Sequence, residues 1–196
     1  MFIRCSLLLI LAIGKIFPNV ALDVDICGTS VTCNDFFHSG GKFREIEMAV
    51  AYDSSFCSMY GGEEEATKVV KSIVDAVNKR YVTSICVKVR LVYIEAQCNE
   101  SSDPYKAILG LDNAEQSLDK FREFWNDNRS SVQRDVAHLF SGTELEDSFL
   151  SDTNGIAYLD TVCSTNNAYG INEFTDYEDT HFQTYLVSHE LGHNAG

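Results

Sequence analysis

The carboxyl-terminal third of this sequence has no lysine or arginine. All 15 lie at or before Arg134, while residues 135–196 carry eleven Asp or Glu. With 29 acidic residues in all, the formal charge is −14, which argues against nucleic acid or an anionic membrane surface as a partner, since either requires a basic patch. Proline is limited to Pro18 and Pro104, which leaves no room for a proline-rich linker between domains. No apolar run reaches the roughly 20 residues of a membrane-spanning helix, and there is no internal repeat or low-complexity tract. No CxxC pair is present, so zinc knuckles and thioredoxin-like redox sites are not expected. What remains is material for one domain: 196 residues, 45% hydrophobic and 22% charged, enough for a core and too few for two ordinary domains.

Arg4 is followed by an apolar run over 5–13 that only Ser6 interrupts. A basic start and a short apolar stretch form the pattern of a secretory signal peptide, with cleavage after Gly14 or near Ala21 both compatible. Residues 1–21 are read as that signal, 22–42 as a short leader, and the product as secreted. Cysteines stand at 5, 27, 33, 57, 86, 98 and 163. Cys5 would leave with the signal, and the other six are disulfide material in an exported chain, with pairing open. Asn99 and Asn128 begin glycosylation sequons, which matter if the chain is exported by a eukaryote.

Residues 44–53 alternate, with Ile46, Met48, Val50 and Tyr52 opposite Glu45 and Glu47, which predicts a strand with one apolar face. Residues 63–81 place Ala66, Val69, Val70, Ile73, Val74, Val77 and Tyr81 at helical spacing behind Glu63, Glu64 and Glu65, where the helix dipole favours anions. Alternation returns over 84–96. Strand, helix, strand predicts a parallel crossover. A second helix is expected over 113–126, with Asn113 and Gln116 at capping-box spacing and Ala114, Leu118, Phe121 and Trp125 on one stripe. A third strand covers 135–140. Strand-like runs at 155–162 and 169–174 would close the sheet at its edge. The last helix starts at Thr180, with Gln183 at capping-box spacing and Phe182, Tyr185 and Leu186 as its apolar face.

That helix carries His189, Glu190 and His193 as His-Glu-Leu-Gly-His. Spacing of i and i+4 puts both imidazoles on one face a turn apart, so both reach one metal ion with Glu190 beside it. Zinc suits this donor set. A catalytic zinc takes three protein ligands and a water, and a nearby carboxylate collects the proton as water attacks a carbonyl. His189 and His193 are the candidate ligands and Glu190 the candidate base. Gly196 lets the chain leave the helix in a left-handed conformation. His181 lies more than about 10 Å back along the helix, and it, His138 and His38 are read as ordinary histidines.

The run HELGHNAG from His189 to Gly196 resembles the HExxHxxGxxH signature of the metzincins, and within them the adamalysin or reprolysin class of venom and ADAM-type proteases. The likeness continues through REIEMAVAYD at Arg44, VDAVNKRY, ICVKVRLVYIE at Ile85, LDKFREFW at Leu118, RDVAHLFSG at Arg134, GIAYLDTVC at Gly155 and YGINEF at Tyr169, in the family's order. It covers roughly residues 43 to 196. The resemblance implies an α/β (α+β) domain with a twisted five-stranded mixed sheet over an active-site helix, acting as a zinc endopeptidase on extracellular proteins. It also implies that Gly155, Ile156 and Ala157, continuing to Tyr158, form the antiparallel edge strand along which a peptide substrate is laid. An exposed edge offers unpaired N–H and C=O groups for that purpose.

By the same resemblance a third ligand would fall three residues past Gly196, followed by a methionine-containing turn, whereas the three Met here are at 1, 48 and 59. The expectation is a metallopeptidase domain incomplete at its carboxyl end, its carboxyl-terminal subdomain missing. The alternatives are a secreted protein-binding domain that has lost catalysis, or another zinc hydrolase with a downstream Glu ligand. The family's cysteine at the position of Cys163 pairs within that carboxyl-terminal portion, so Cys163 is expected to lack its partner. Cys27 or Cys33 could imitate the inhibitory cysteine of some family zymogens, but the residues around them match that feature poorly and an extracellular disulfide is the favoured reading. If Glu144, Glu146, Asp147, Asp152, Asp160, Asp176, Glu178 and Asp179 ring the cleft, they favour peptides with Lys or Arg near the cut bond.

Overall fold

The structure, a computed structural model, describes residues 24–26, 29–31, 44–109, 111, 113–145, 154–174 and 179–196. The expected signal peptide, most of the leader, Cys27 and Cys33 lie outside these residues. Strands β1 (Val24–Ile26) and β2 (Thr29–Val31) form a small antiparallel pair. The main sheet contains β3 (Arg44–Tyr52), β4 (Val87–Ala96), β5 (Val136–Ser141), β6 (Gly155–Ala157) and β7 (Tyr169–Glu173), in the spatial order β4-β3-β5-β7-β6. β3 runs parallel to β4 and β5, and β5 parallel to β7, whereas β6 pairs antiparallel at one edge. This is the expected five-stranded mixed sheet of an α+β fold.

The crossover from β3 to β4 contains α1 (Ser54–Met59) and α2 (Glu63–Ile85). α1 was not legible as a helix; it forms because the Asp53 carboxylate accepts the Phe56 N–H at 2.7 Å and the Ser141 hydroxyl at 2.6 Å, capping the helix and binding it to β5. α2 opens with the three expected glutamates and ends in Cys86, which is left-handed with φ 58°. A four-residue helix, α3 (Lys106–Leu109), precedes α4 (Ala114–Asn128). α4 buries the predicted Ala114, Leu118, Phe121 and Trp125, and the Asn113 side chain accepts the N–H groups of Glu115 and Gln116.

β3 departs from the one-faced strand expected of it. Ile46, Met48, Val50 and Tyr52 pack with α2, while Ala49 and Ala51 pack against Phe121, Trp125 and the rest of the α4 side. A strand flanked by parallel neighbours has helices on both faces, so both are buried. The small alanines leave space for the aromatic cluster in which Phe121 meets Tyr169 edge-on at 5.6 Å and Trp125 Nε1 donates to Tyr105 at 3.0 Å. The run at 155–162 keeps strand pairing only over Gly155–Ala157. Its second half turns to pair with the end of the last helix, where Thr161 and Val162 donate to the Asn194 carbonyl, each at 2.8 Å.

Cys57 in α1 is joined to Cys98 beyond β4, across 41 residues. Cys86 and Cys163 are disulfide-bonded as well. The expectation that Cys163 lacks a partner is therefore overturned, because its bonding is satisfied within this chain. Among the described residues no helix is long and apolar enough to cross a membrane. Replacing Cys57 and Cys98 together by Ala should lower stability by about 2–4 kcal/mol, since the unfolded chain regains a long loop; urea unfolding of the variant against the parent measures it.

Candidate metal centre

Helix α5 (Thr180–Ala195) packs under the sheet and against α2 through Val187 and Leu191. Its cap differs from the predicted Thr180 box: Asp179 is the N-cap and its carboxylate accepts the Phe182 N–H at 2.8 Å. Its apolar face also differs. Leu186, Val187 and Leu191 are buried, whereas Phe182 and Tyr185 are only half-buried and Tyr185 lies under the Arg80 guanidinium at 5.1 Å. The hidden face is largely polar, with Gln183, Thr184, Glu190 and Asn194 all buried. Two tyrosines hold it. Tyr81 of α2 donates its hydroxyl to the Ser188 carbonyl at 2.8 Å, and Gln183 donates to the Tyr60 hydroxyl at 2.6 Å.

His189 and His193 come together as the i, i+4 spacing requires, with ring centroids 4.6 Å apart and planes at 83°. One ligand atom from each of His189, Glu190 and His193 lies within 4.8 Å of the others. Nε2 of each imidazole and Oε2 of Glu190 are buried with no hydrogen-bond partner. A buried polar atom without a partner costs about 1–3 kcal/mol, and three converging on one point call for a common ligand. Two imidazoles with a carboxylate fit zinc. Among the described residues no other His, Cys, Asp or Glu joins the cluster.

The electrostatics follow from burial. Glu190 is 2% exposed, and desolvation pushes its carboxyl up to about 8. Desolvation lowers both imidazoles, and the neighbouring His193 lowers His189 further. Both rings are thereby held in the neutral form that binds metal.

Gly155 matters for a reason the sequence did not disclose. A Cβ there would stand 2.7 Å from Glu190 Oε1 and 2.8 Å from its Cγ, so the missing side chain is the seat of the carboxylate. Gly155, Ile156 and Ala157 form β6, and no strand pairs with its outer side among the described residues. Ile156 turns away from α5 into the core around α4. Gly196 has φ +105°, the left-handed exit expected, and a side chain there would strike Asp160. His181 is exposed and His138 fully buried, while His38 lies outside the described residues. Of the acidic residues expected around the cleft, Asp160 lies at the end of α5, Asp179 is spent on the cap at its far end, and Glu144 is exposed. The other five lie outside the described residues.

Comparison with known proteins agrees with this architecture. The reprolysin-type model of metallo-peptidase family M12 matches residues 42–196, and the chain belongs to that family, the adamalysin/reprolysin metzincins. Its members are zinc-dependent metallopeptidases. The chain is 26% identical over 159 residues to the zinc metalloproteinase-disintegrin-like brevilysin H2a of Gloydius brevicauda, covering 78% of this chain and 34% of that protein. It is 30% identical over 156 residues to disintegrin and metalloproteinase domain-containing protein 22 of Mus musculus, covering 79% and 14%. The chain thus spans about a third or less of the length of these relatives. A solved structure described as a chaperone-substrate complex aligns over 78% of this chain and 23% of its own, with TM-score 0.57 and 17% identity, a likeness of fold.

A carboxyl whose pKa rises on folding favours the native state below its unfolded value, near 4.5, and that contribution is lost as pH climbs toward 8. Metal-free protein should therefore be less stable than its Glu190→Gln variant by an amount that grows from pH 5 to pH 8, on the order of a few kcal/mol. Urea midpoints of the two proteins in chelator at both pH values measure this difference.

Proposed function

We propose that residues 43–196 form the metallopeptidase domain of a secreted zinc endopeptidase, preceded by a signal peptide at 1–21 and a short leader at 22–42. His189 and His193 hold the zinc, Glu190 is the general base, and Gly155, Ile156 and Ala157 receive an extended stretch of a protein substrate. The observation that carries this reading is the convergence of three partnerless buried atoms on one face of α5, next to an open sheet edge.

Zinc at this position supplies Lewis acidity toward water and the substrate carbonyl. The residues of the chain do the rest. The outer edge of β6 offers backbone N–H and C=O groups to a docked peptide, which fixes the scissile amide in one orientation. Gly155 lets the Glu190 carboxylate approach that edge without obstruction. A buried carboxylate has high proton affinity, so Glu190 takes a proton from water as its oxygen adds to the carbonyl carbon. The same proton then passes to the amide nitrogen as the C–N bond breaks, leaving an acid and an amine.

A second reading, a secreted protein-binding domain without catalysis, is favoured by one observation. No strand pairs with the outer side of β6 among the described residues, so its N–H and C=O groups face an extended peptide whether or not hydrolysis follows. This second reading keeps the open edge of β6 as a binding surface and predicts peptide binding without turnover.

Zinc content and protein hydrolysis should be measured on this chain and on the gene product read past Gly196. One zinc per chain is expected, lost on His189→Ala or His193→Ala. Glu190→Gln should retain zinc and lose hydrolysis by about 10²–10⁴, and retention of hydrolysis would sink the assignment. Gly155→Ala should keep zinc yet lose hydrolysis by at least roughly tenfold, because the displaced carboxylate no longer meets the water correctly.

A further inference from the structure

Beyond the metal cluster, a buried polar network surrounds His138. This side chain is fully buried in the middle of β5, on the sheet face that α2 and α5 cover, between Val136 and Phe140. Its strand neighbour is Gly170, where a Cβ would stand 2.8 Å from the ring's Cε1 and 2.9 Å from Nε2. β7 leaves out a side chain where the ring lies over it.

The hydrogen bonds determine the ring's state. Three oxygens surround the Asn194 amide nitrogen, which leaves its Oδ1 as the acceptor facing the ring, so Nε2 carries the proton and Nδ1, 3.0 Å from Asn172 Nδ2, is the bare acceptor. Nε2 donates to Asn194 Oδ1 at 2.9 Å. The Asn194 amide nitrogen in turn donates to the carbonyls of Tyr158 at 2.8 Å and Tyr169 at 3.1 Å, and reaches the Thr161 hydroxyl at 3.1 Å. One side chain next to His193 therefore ties together α5, β7 and the turn that follows β6. The backbone completes the joint: Asp160 donates to the His193 carbonyl at 2.9 Å, and Thr161 and Val162 to that of Asn194. These bonds satisfy carbonyls that the last turn of a helix leaves open.

We infer that His138 is a positioning residue: by donating from Nε2 it locks the Asn194 amide, and so fixes the edge strand and its following turn against the end of the metal-holding helix. An apolar side chain of similar size would fill the space but leave Asn194 Oδ1 without a donor and its amide free to turn. A glutamine presents an N–H in the same place. Burial, which lowers His138 to about 4, keeps the ring neutral and the tautomer intact through the ordinary pH range. The inference rests on the proposed function only for its consequence, the relation between metal and docking strand; the mechanical coupling stands independently.

The test compares the full chain with His138→Leu and His138→Gln. Amide hydrogen exchange is followed at Asp160, Thr161 and Val162, and zinc affinity by competition with a chromogenic chelator. His138→Leu should speed exchange at these three amides by roughly tenfold or more while those of β3 stay unchanged, and weaken zinc binding by about tenfold. His138→Gln should restore both to within about threefold. Unchanged exchange in His138→Leu, or a glutamine variant as loose as the leucine one, overturns the inference. If no form takes up zinc, the proposed function fails and the exchange measurement alone decides the coupling. If all three bind zinc equally and exchange alike, only the coupling fails. Should His138→Leu not fold, imidazole ¹⁵N shifts decide: the parent should show the Nε2–H tautomer, while an Nδ1–H parent overturns the inference.

Discussion

A helix that hides a carboxylic acid under a sheet has to be held there by contacts other than those of the acid. α5 meets this constraint with a buried face that is more polar than apolar, and each of its amides and hydroxyls finds a partner. Gln183 reaches Tyr60, Thr184 returns to the Thr180 carbonyl, and Asn194 is bonded to His138 and two sheet carbonyls. The desolvation of Glu190 is thus supported by neighbours that do not neutralise it. Of the buried side-chain atoms that lack a partner among the described residues, half belong to His189, Glu190 and His193. The other three, Ser117 Oγ, Arg134 Nε and Asn172 Oδ1, belong to separate segments, so the cluster on α5 is where such atoms are concentrated.

The rest of the fold keeps that helix in place. α2 crosses behind β3 and β4 and extends Tyr81 to the middle of α5. The opposite face of the sheet is closed by the aromatic cluster of α4, so the strands that hold β6 in register are buried on both sides. Buried strands under the site and, beside it, a strand with no partner on its outer side among the described residues are the arrangement expected of a scaffold that has to present one edge accurately.

Much of this was legible in the residues. Alternation marked β3 and β4, helical spacing marked α2 and the α4 stripe, and the i, i+4 histidines marked the cluster, because each depends on a short-range period that side chains reveal directly. What stayed hidden depends on pairings distant in the chain. β3 is buried on both faces only because β5 arrives 84 residues after its end. The second half of the 155–162 run has strand-like residues yet pairs with the end of α5, a tertiary preference that overrides propensity. Gly155 read as part of a strand, and its use as a seat for Glu190 needs the fold to be seen. His138 read as an ordinary histidine, since nothing local announces a partner 56 residues away.

The parallel pairing of β3 with β5 has a temporal side. A ribosome delivers β3, α2 and β4 as one contiguous block, whose crossover can close early because its loops are short. β5 joins only after the whole of α4 has emerged, and β6, β7 and α5 come after that. Long-range parallel contacts close slowly. Of the described elements α5 is therefore the last to be delivered, and His189, Glu190 and His193 come together against strands that all precede them in the chain.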